Sequence, residues 1–215
     1  MFDITLYHYI HCPYCIRIRL ALGFLNIDYN SQVLHYSDEE TPLKLIGKKI
    51  LPIVSVNDNF YSESLDIIKL IDKNNKMDTT NTLSNIEQLN SLLSLLSSDI
   101  HNLAMPYFIW SYEFNEKDRK YFIKKKSIKR GPFTELKKNK KIYTESLELN
   151  LIEIENNLSP FFKSKYLTLR DILIASHLWG MYIVPEFQFS TKIHSYLQNI
   201  KILCKFDYHA EYSEI

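Results

Sequence analysis

The sequence predicts a small mixed α/β domain followed by a larger all-helical domain. Over residues 1–73, short β-rich runs alternate with helical patterns in the order βαβ and then ββα, which fits a small mixed sheet covered by helices. Residues 74–82 are polar and lack periodicity, which is typical of an inter-domain linker. From residue 83 to residue 215 the apolar residues recur at helical spacing.

Turn residues and apolar runs delimit the elements of the first domain. Pro13 suits the first turn of a helix, where its missing N–H costs nothing, and Gly47 is typical of a residue that ends a helix. An Asn-Asp-Asn turn at 57–59 separates two short strands. The predicted strands cover 4–9, 29–36, 52–56 and 60–62, and the predicted helices cover 13–24, 42–46 and a segment that begins at Ser64.

The second domain is predicted to contain helices over 83–103, 116–126, 133–158 and 167–181. The helix over 167–181 is apolar nearly all round, which is typical of a central buried helix. Thr168 and Asp171 have the spacing of a capping box, with aspartate in place of the usual glutamate or glutamine, so we expect a reciprocal cap at its start.

Composition and charge exclude several classes of protein. The formal net charge is +1, which gives no field suited to nucleic acid. The basic run over 124–141 is interpreted as a solvated helical surface, because acidic residues flank it. The acidic residues are Glu113, Glu116, Asp118, Glu135 and Glu145. Only four glycines occur, and neither a dinucleotide-binding fingerprint nor a P-loop can be placed.

The chain shows no membrane or secretion signal. Its longest largely apolar run, 172–184, is too short to span a bilayer, and residues 1–4 lack the features of a signal peptide. Three cysteines leave one unpaired, which argues against a secreted disulfide scaffold. We therefore expect a cytoplasmic protein with neither a membrane nor a nucleic acid as partner, and we expect Cys204 to be a small buried side chain.

The most informative motif is Cys12-Pro13-Tyr14-Cys15, which follows a strand and opens a helix. A pair of cysteines at this spacing is half a zinc site or a redox pair. Zinc needs two further ligands, and no second pair of cysteines or histidines has suitable spacing, so we expect no metal. A helix N-terminus stabilises the Cys12 thiolate, and Cys15, inside the helix on the same side, can attack a mixed disulfide on Cys12. Cys12 is thus the predicted nucleophile and Cys15 the resolving thiol.

The motif at 11–15, together with the helical second half, resembles the larger, glutaredoxin 2 type of glutaredoxins. The resemblance implies an N-terminal thioredoxin-like domain and a glutathione-transferase-like architecture. It covers essentially the full length, and further similar segments lie at 40–42, 47–53, 62–67, 119–122 and 168–181.

The resemblance also implies a glutathione site. It implies a cis bond between Leu51 and Pro52, which would turn the Leu51 backbone toward Cys12 and the cysteinyl backbone of glutathione. Glu63 and Ser64 begin a helix whose N–H groups suit the γ-glutamyl carboxylate, although by themselves they would be only a helix cap.

Two further residues complete the predicted glutathione site. Lys49 is expected to meet the glycyl carboxylate of glutathione, and Tyr14, between the two cysteines, to shape the approach of the substrate.

The function that follows is a dithiol glutaredoxin, a glutathione-dependent thiol–disulfide oxidoreductase. It would reduce protein disulfides and glutathione mixed disulfides, with glutathione as co-substrate and no tightly bound cofactor, as a monomer whose partners are disulfide-bearing or glutathionylated proteins. One alternative is a glutathione transferase that uses Cys12 on small electrophiles, although that chemistry does not need Cys15. A non-catalytic adaptor on the same fold and an iron–sulfur-bridging glutaredoxin are further alternatives; Pro13 and Tyr14 are unfavourable for the latter.

Overall fold

A computed structural model describes residues 4–206 of the chain, which form a four-stranded sheet and a set of helices. Residues 1–3 and 207–215, which belong to the predicted first and second domains, lie outside the described residues. The first domain contains β1 (Ile4–His8), α1 (Pro13–Leu25), β2 (Asn30–Val33), α2 (Glu40–Ile46), β3 (Ile53–Val56), β4 (Asn59–Ser62) and α3 (Ser64–Ile71).

The sheet is mixed, with the strand order β2-β1-β3-β4. Strand β1 pairs in parallel with β2 and antiparallel with β3, and β3 pairs antiparallel with β4. The crossover helix α1 connects the parallel strands β1 and β2. A short turn at Asn57 and Asp58, both with positive φ, connects the antiparallel strands β3 and β4. The predicted βαβ-ββα order is confirmed; β1, β2 and β3 are shorter than predicted at their ends, whereas β4 begins one residue earlier than predicted.

The described part of the second domain is helical. It contains α4 (Thr79–Ser84), α5 (Glu87–Phe108), α6 (Glu116–Arg130), α7 (Phe133–Lys138), α8 (Lys140–Asn156), α9 (Leu169–Leu178), a 3-10 segment (Trp179–Ile183) and α10 (Thr191–Leu203). Of the described helices, none has both the length and the apolar character that a membrane span requires.

The helix boundaries of the second domain differ from the predicted ones in several places; for example, α6 continues to Arg130, beyond its predicted end at 126. Helix α5 continues past the predicted end and includes Pro106 in its last turn. The single helix predicted over 133–158 divides at Asn139, which ends α7 and precedes α8. The helix predicted over 167–181 changes to a 3-10 helix at Trp179.

The segment predicted as a linker is held in a fixed conformation by Asp72. Its buried carboxylate accepts hydrogen bonds from the backbone N–H groups of Lys76 at 2.8 Å and Met77 at 3.1 Å, and from the Thr79 hydroxyl at 2.6 Å. Met77 is fully buried, and its carbonyl accepts the Leu169 N–H at 2.7 Å. The polar composition of this segment therefore reflects side chains that close turns and begin α4. The domain boundaries remain a prediction.

The predicted cap of the central helix is confirmed. The Asp171 carboxylate accepts the Thr168 N–H at 2.8 Å and its hydroxyl at 3.0 Å, and the two residues form a capping box. The same buried carboxylate also accepts the Phe162 N–H and the Tyr196 hydroxyl. Burial nevertheless raises the pKa of Asp171.

Helix α1 lies at the centre of the molecule and contacts α3 on one side and α9 and α10 on the other. At its end, Gly23 packs against the backbone of Cys204, where an added Cβ would lie 1.7 Å from the Cys204 carbonyl oxygen. Cys204 is 1% exposed, which confirms the prediction of a small buried side chain, and burial raises the pKa of its thiol to about 12. The N-terminal sheet and the second domain thus meet through a helix that has no free face.

Candidate active site

Cys12 and Cys15 lie at the beginning of α1. Cys12 is the N-cap residue, in an extended conformation, and its carbonyl accepts the N–H groups of Cys15 at 3.0 Å and Ile16 at 2.9 Å. The Cys12 side chain is half-buried, whereas Cys15 is fully buried. The cysteine nearer the surface is therefore the one at the helix end, where N–H groups without intrahelical partners are available to an anion.

The two thiols differ in acidity. A hydrogen bond from the Cys15 thiol lowers the pKa of Cys12 to about 6, and His11 and the backbone N–H groups of Tyr14 and Cys15 act in the same direction against the effect of burial. Burial raises the pKa of Cys15 well above its usual value, and the neighbouring Cys12 raises it further. At neutral pH the arrangement stabilises a thiolate on Cys12 and a thiol on Cys15.

The loop before Cys12 is fixed by Glu113, a residue of the second domain. Its carboxylate accepts three hydrogen bonds: from the N–H of Ile10 at 3.1 Å, from the N–H of His11 at 3.2 Å, and from Nδ1 of His11 at 2.9 Å. The Glu113 side chain is fully shielded from solvent. Five aromatic rings surround the His11 imidazole, with centroids 5.0 to 5.8 Å away; they belong to Tyr9, Tyr36, Phe108, Phe114 and Phe122.

A second buried carboxylate, Asp118 at the start of α6, also reaches the first domain. It accepts the Ser37 N–H at 2.8 Å and contacts Nδ1 of His35 at 2.9 Å. The prediction of a solvated surface is therefore wrong for Glu113 and Asp118, which are 6% and 0% exposed. Backbone donors of the first domain pair with both carboxylates, and a sequence does not reveal these distant partners.

A pocket of about 550 Å³ opens next to Tyr14 and Arg17 of α1, and neither Cys12 nor Cys15 is among its lining residues. It brings together five of the predicted site residues, namely Tyr14, Leu51, Pro52, Glu63 and Ser64, and its remaining lining residues are Arg17, Ile50, Leu65, Asp66 and Lys69. The bond between Leu51 and Pro52 is cis, as the resemblance implied. We refer to this space as the cis-proline pocket.

Glu63 and Ser64 form one wall of the cis-proline pocket, at the N-terminus of α3. Glu63 has a φ of 70°, which is uncommon for a residue with a side chain, and its side chain makes no capping hydrogen bond. The Ser64 side chain is 6% exposed. The backbone is therefore held in an unusual conformation at the place where the N–H groups of α3 face the pocket, as in other anion sites at helix ends.

Arg17 is a pocket residue for which the sequence analysis assigned no role. Its guanidinium is buried, lies 3.4 Å from the Ser64 hydroxyl, and donates to Nε2 of His177 at 3.0 Å. Burial lowers the pKa of His177 well below its usual value, so the imidazole is neutral and can accept this bond. Within residues 4–206, no carboxylate pairs with Arg17. The available signal was a pair of arginines, Arg17 and Arg19, in the middle of a helix that is mostly apolar.

Lys49 does not line the cis-proline pocket. Its ammonium donates to the Tyr36 carbonyl at 2.9 Å, lies 3.4 Å from the Glu39 carboxylate, and stands 4.0 Å from the centre of the Tyr121 ring. The Tyr121 hydroxyl also bonds to Glu39. The structure therefore places Lys49 with a separate group of residues from α2 and α6. Within the described part of the chain, no three histidine, cysteine, aspartate or glutamate side chains lie close enough together to hold a metal ion.

Comparison with known proteins agrees with this arrangement. Residues 6–78 match the family model for the N-terminal domain of glutathione S-transferases, and residues 86–208 match that for the C-terminal domain of glutaredoxin 2. Glutaredoxin 2 of Escherichia coli is 35% identical over 137 residues, a match that spans 61% of this chain and only 62% of that protein.

Solved structures show the same fold. The crystal structure of glutaredoxin 2 from Salmonella typhimurium in complex with glutathione has a TM-score of 0.83 at 24% identity, with 98% of each chain covered. A glutathione transferase from Phanerochaete chrysosporium has a TM-score of 0.79 at 15% identity, covering 94% of this chain and 97% of that one. Because the glutaredoxin 2 model alone matches more than half of the residues, the chain belongs to the glutaredoxin 2 family.

Proposed function

We propose that this protein is a glutathione-dependent thiol–disulfide oxidoreductase of the dithiol glutaredoxin type. The observation that carries the proposal is the difference between the two thiols: a half-buried Cys12 with a pKa near 6 and a fully buried Cys15 with a raised pKa. Thiol–disulfide exchange needs a thiolate that attacks, and its dithiol route also needs a second thiol that can attack the mixed disulfide once it has formed.

The reaction follows from this pair. The Cys12 thiolate attacks a sulfur of the substrate disulfide, a new disulfide forms to Cys12, and the other sulfur leaves as a thiolate. With a protein disulfide as substrate, Cys15 then attacks Cys12, releases the second substrate thiol and forms the Cys12–Cys15 disulfide. Two glutathione molecules reduce that disulfide and leave as glutathione disulfide, so each electron pair is accounted for.

The cis-proline pocket supplies the groups that glutathione would need. The Leu51 backbone in the wall of this pocket suits the cysteinyl backbone of glutathione, and the N-terminus of α3 with the Ser64 hydroxyl suits the γ-glutamyl carboxylate. Arg17, 3.4 Å from that hydroxyl, adds a buried positive charge to the same position. Tyr14, whose ring stacks on Arg17 at 4.6 Å, forms the border of the pocket near the cysteines.

The proposal is tested by reduction of a glutathione mixed disulfide in the presence of glutathione, beside conjugation of chlorodinitrobenzene as a model electrophile. We expect the wild-type protein and Cys204→Ser to reduce the disulfide, and Cys12→Ser to be inactive. Conjugation without disulfide reduction would instead support the transferase alternative, and the absence of both activities would support a non-catalytic adaptor. The expected partners are glutathione and disulfide-bearing or glutathionylated proteins, and the expected location is the cytoplasm.

Ser64→Ala tests the position of the glutathione site. It removes one hydrogen bond to a charged carboxylate, an interaction worth roughly 1.5–3 kcal/mol, so the glutathione concentration needed should rise about ten- to hundred-fold. Ser62→Ala is the matched control, because Ser62 lies two residues earlier on β4 and does not line the pocket. Equal glutathione dependence in both variants would show that the γ-glutamyl site lies elsewhere.

A further inference from the structure

A second cavity, of about 740 Å³, lies between the two domains and is separate from the cis-proline pocket except for a shared wall. Tyr14 and Arg17 of α1 and Leu65 of α3 line both spaces. The other walls belong to the second domain, with contributions from α5, α6, α8 and α9. We call it the inter-domain cavity. Its volume is in the range of sites that hold small molecules.

The charged side chains of the inter-domain cavity are all cationic. Arg17, Lys129 and Arg130 line it, and none of its described lining residues is an aspartate or a glutamate. Burial keeps His177 neutral, so it adds no charge. The other polar lining residues are the neutral side chains of Asn90, Ser94, Ser97, Ser98, Asn102 and Tyr143.

Apart from the attraction between Arg17 and the Cys12 thiolate, these cations interact only with neutral groups within the described residues. Arg130, at the C-terminus of α6, donates to the Ser98 carbonyl at 3.2 Å and to Oδ1 of Asn102 at 2.8 Å. Arg17 bonds to hydroxyl groups and to a neutral imidazole. Lys129, whose side chain is exposed, forms no ion pair among the described residues. An anion in the cavity would meet cations and no opposing carboxylate, and at the half-buried Arg130 it would offset part of the cost of burying a charge.

We propose that the inter-domain cavity binds a small organic anion with at least two negative charges, held by Lys129 and Arg130 beside the cis-proline pocket. A zwitterion is less suited to the cavity, because the described lining offers no carboxylate to an ammonium group. Carboxylates and phosphates share the required chemistry, since a guanidinium binds either group through paired N–H donors. Binding of this anion does not depend on thiol exchange.

The test uses direct calorimetric titration of the reduced full chain with three probes: succinate, pyrophosphate and neutral succinamide. We expect one or both anions to bind and succinamide not to bind. The two anions distinguish a carboxylate ligand from a phosphate ligand. In NMR spectra, the side-chain amides of Asn90 and Asn102 should shift on titration, because both line the cavity.

Charge reversal locates the site. Lys129→Glu and Lys124→Glu change the net charge equally, and both side chains are exposed on α6, but only Lys129 lines the inter-domain cavity. We expect Lys129→Glu to weaken anion binding by about tenfold and Lys124→Glu to change it by less than about twofold. Arg130→Gln should also weaken binding, with thermal melting used to establish that the variant is folded.

Three outcomes would overturn the proposal: no binding of either anion, equal binding of succinamide, or equal weakening by Lys129→Glu and Lys124→Glu. Glutathione binding is measured on the same samples. Failure of glutathione to bind would contradict the proposed function and leave the anion site standing.

Discussion

At the scale of single residues, the positions of the two cysteines on one helix produce opposite chemical environments. Cys12 precedes the first turn of α1 and keeps contact with solvent, whereas Cys15, three residues later, points into the core. Three residues are almost one helical turn, so both sulfurs lie on the same side. One hydrogen bond between them therefore lowers the pKa of Cys12 and raises that of Cys15.

The lowered pKa of Cys12 predicts the pH dependence of its alkylation. The thiolate is the reactive form, so the rate should be constant above the pKa of about 6 and fall tenfold per pH unit below it. Cys15 and Cys204 should react far more slowly, because both are buried and their pKa values are raised. The measurement is iodoacetamide labelling between pH 4 and pH 9, read by mass spectrometry; a midpoint near the ~8.5 of free cysteine would contradict the assignment.

Cys15→Ser separates the two roles of the pair. The variant should still reduce glutathione mixed disulfides, which need only Cys12 and glutathione, but lose the reduction of protein disulfides by the dithiol route. Its Cys12 alkylation midpoint should move upward if the serine hydroxyl is a poorer partner than the thiol that lowers the pKa of Cys12. Equal loss of both activities, in a variant that melts like the wild type, would give Cys15 a role other than resolution.

At the scale of elements, α1 connects the reactive site to the rest of the molecule. Its residues from Pro13 to Leu22 are buried except for Tyr14, because α3, α9 and α10 pack against it. A helix of this kind has no face on which a larger side chain is harmless. Gly23 shows this directly, since the backbone of Cys204 occupies the space that a side chain would need.

Gly23→Ala should destabilise the protein even though alanine is the better helix former. Replacing a helical glycine by alanine gains about 1 kcal/mol, but the new Cβ would lie 1.7 Å from the Cys204 carbonyl oxygen, so α1 and α10 must separate. Overpacking of this kind costs about 1–3 kcal/mol or more, and we expect a net loss in the free energy of unfolding in urea. An Ala21→Gly variant in the same helix provides the opposite change, and a Gly23→Ala protein of wild-type or higher stability would disprove the close contact.

At the scale of the whole molecule, the order of elements could be predicted from the sequence because local patterns determine it. Boundaries of elements are marked by the backbone preferences of Pro13, Gly47 and the turn at 57–59. The start of α9 is marked by a cap between two residues three positions apart, Thr168 and Asp171. The roles of Cys12 and Cys15 could be predicted because they depend only on the position of the pair at the N-terminus of a helix. Contacts between the domains could not be predicted in this way.

The features of the candidate site that the sequence did not predict are mostly contacts between residues far apart in the chain. Glu113 lies about one hundred residues from its donors, Arg17 lies 160 residues from His177, and Lys49 points to α6 instead of the cis-proline pocket. A charged residue has the same local appearance whether it faces solvent or a buried donor. The acidic residues around the basic run were therefore treated alike, although two of them are buried.

The contact between the domains depends strongly on Glu113, because its carboxylate is the common acceptor for three donors of the loop before Cys12. Glu113→Ala would leave those donors buried without a partner. Loss of one member of a buried charged network typically costs about 3–5 kcal/mol, so we expect a comparable decrease in the free energy of unfolding, measured in urea. Glu113→Gln, which keeps one acceptor oxygen, should lose less of the free energy of unfolding than Glu113→Ala.

The matched control is Glu116→Ala. Glu116 is an exposed carboxylate paired only with Lys120, so its replacement should leave the urea midpoint nearly unchanged. Equal midpoints for Glu113→Ala and Glu116→Ala would show that the loop before Cys12 is held by its aromatic neighbours and not by this carboxylate.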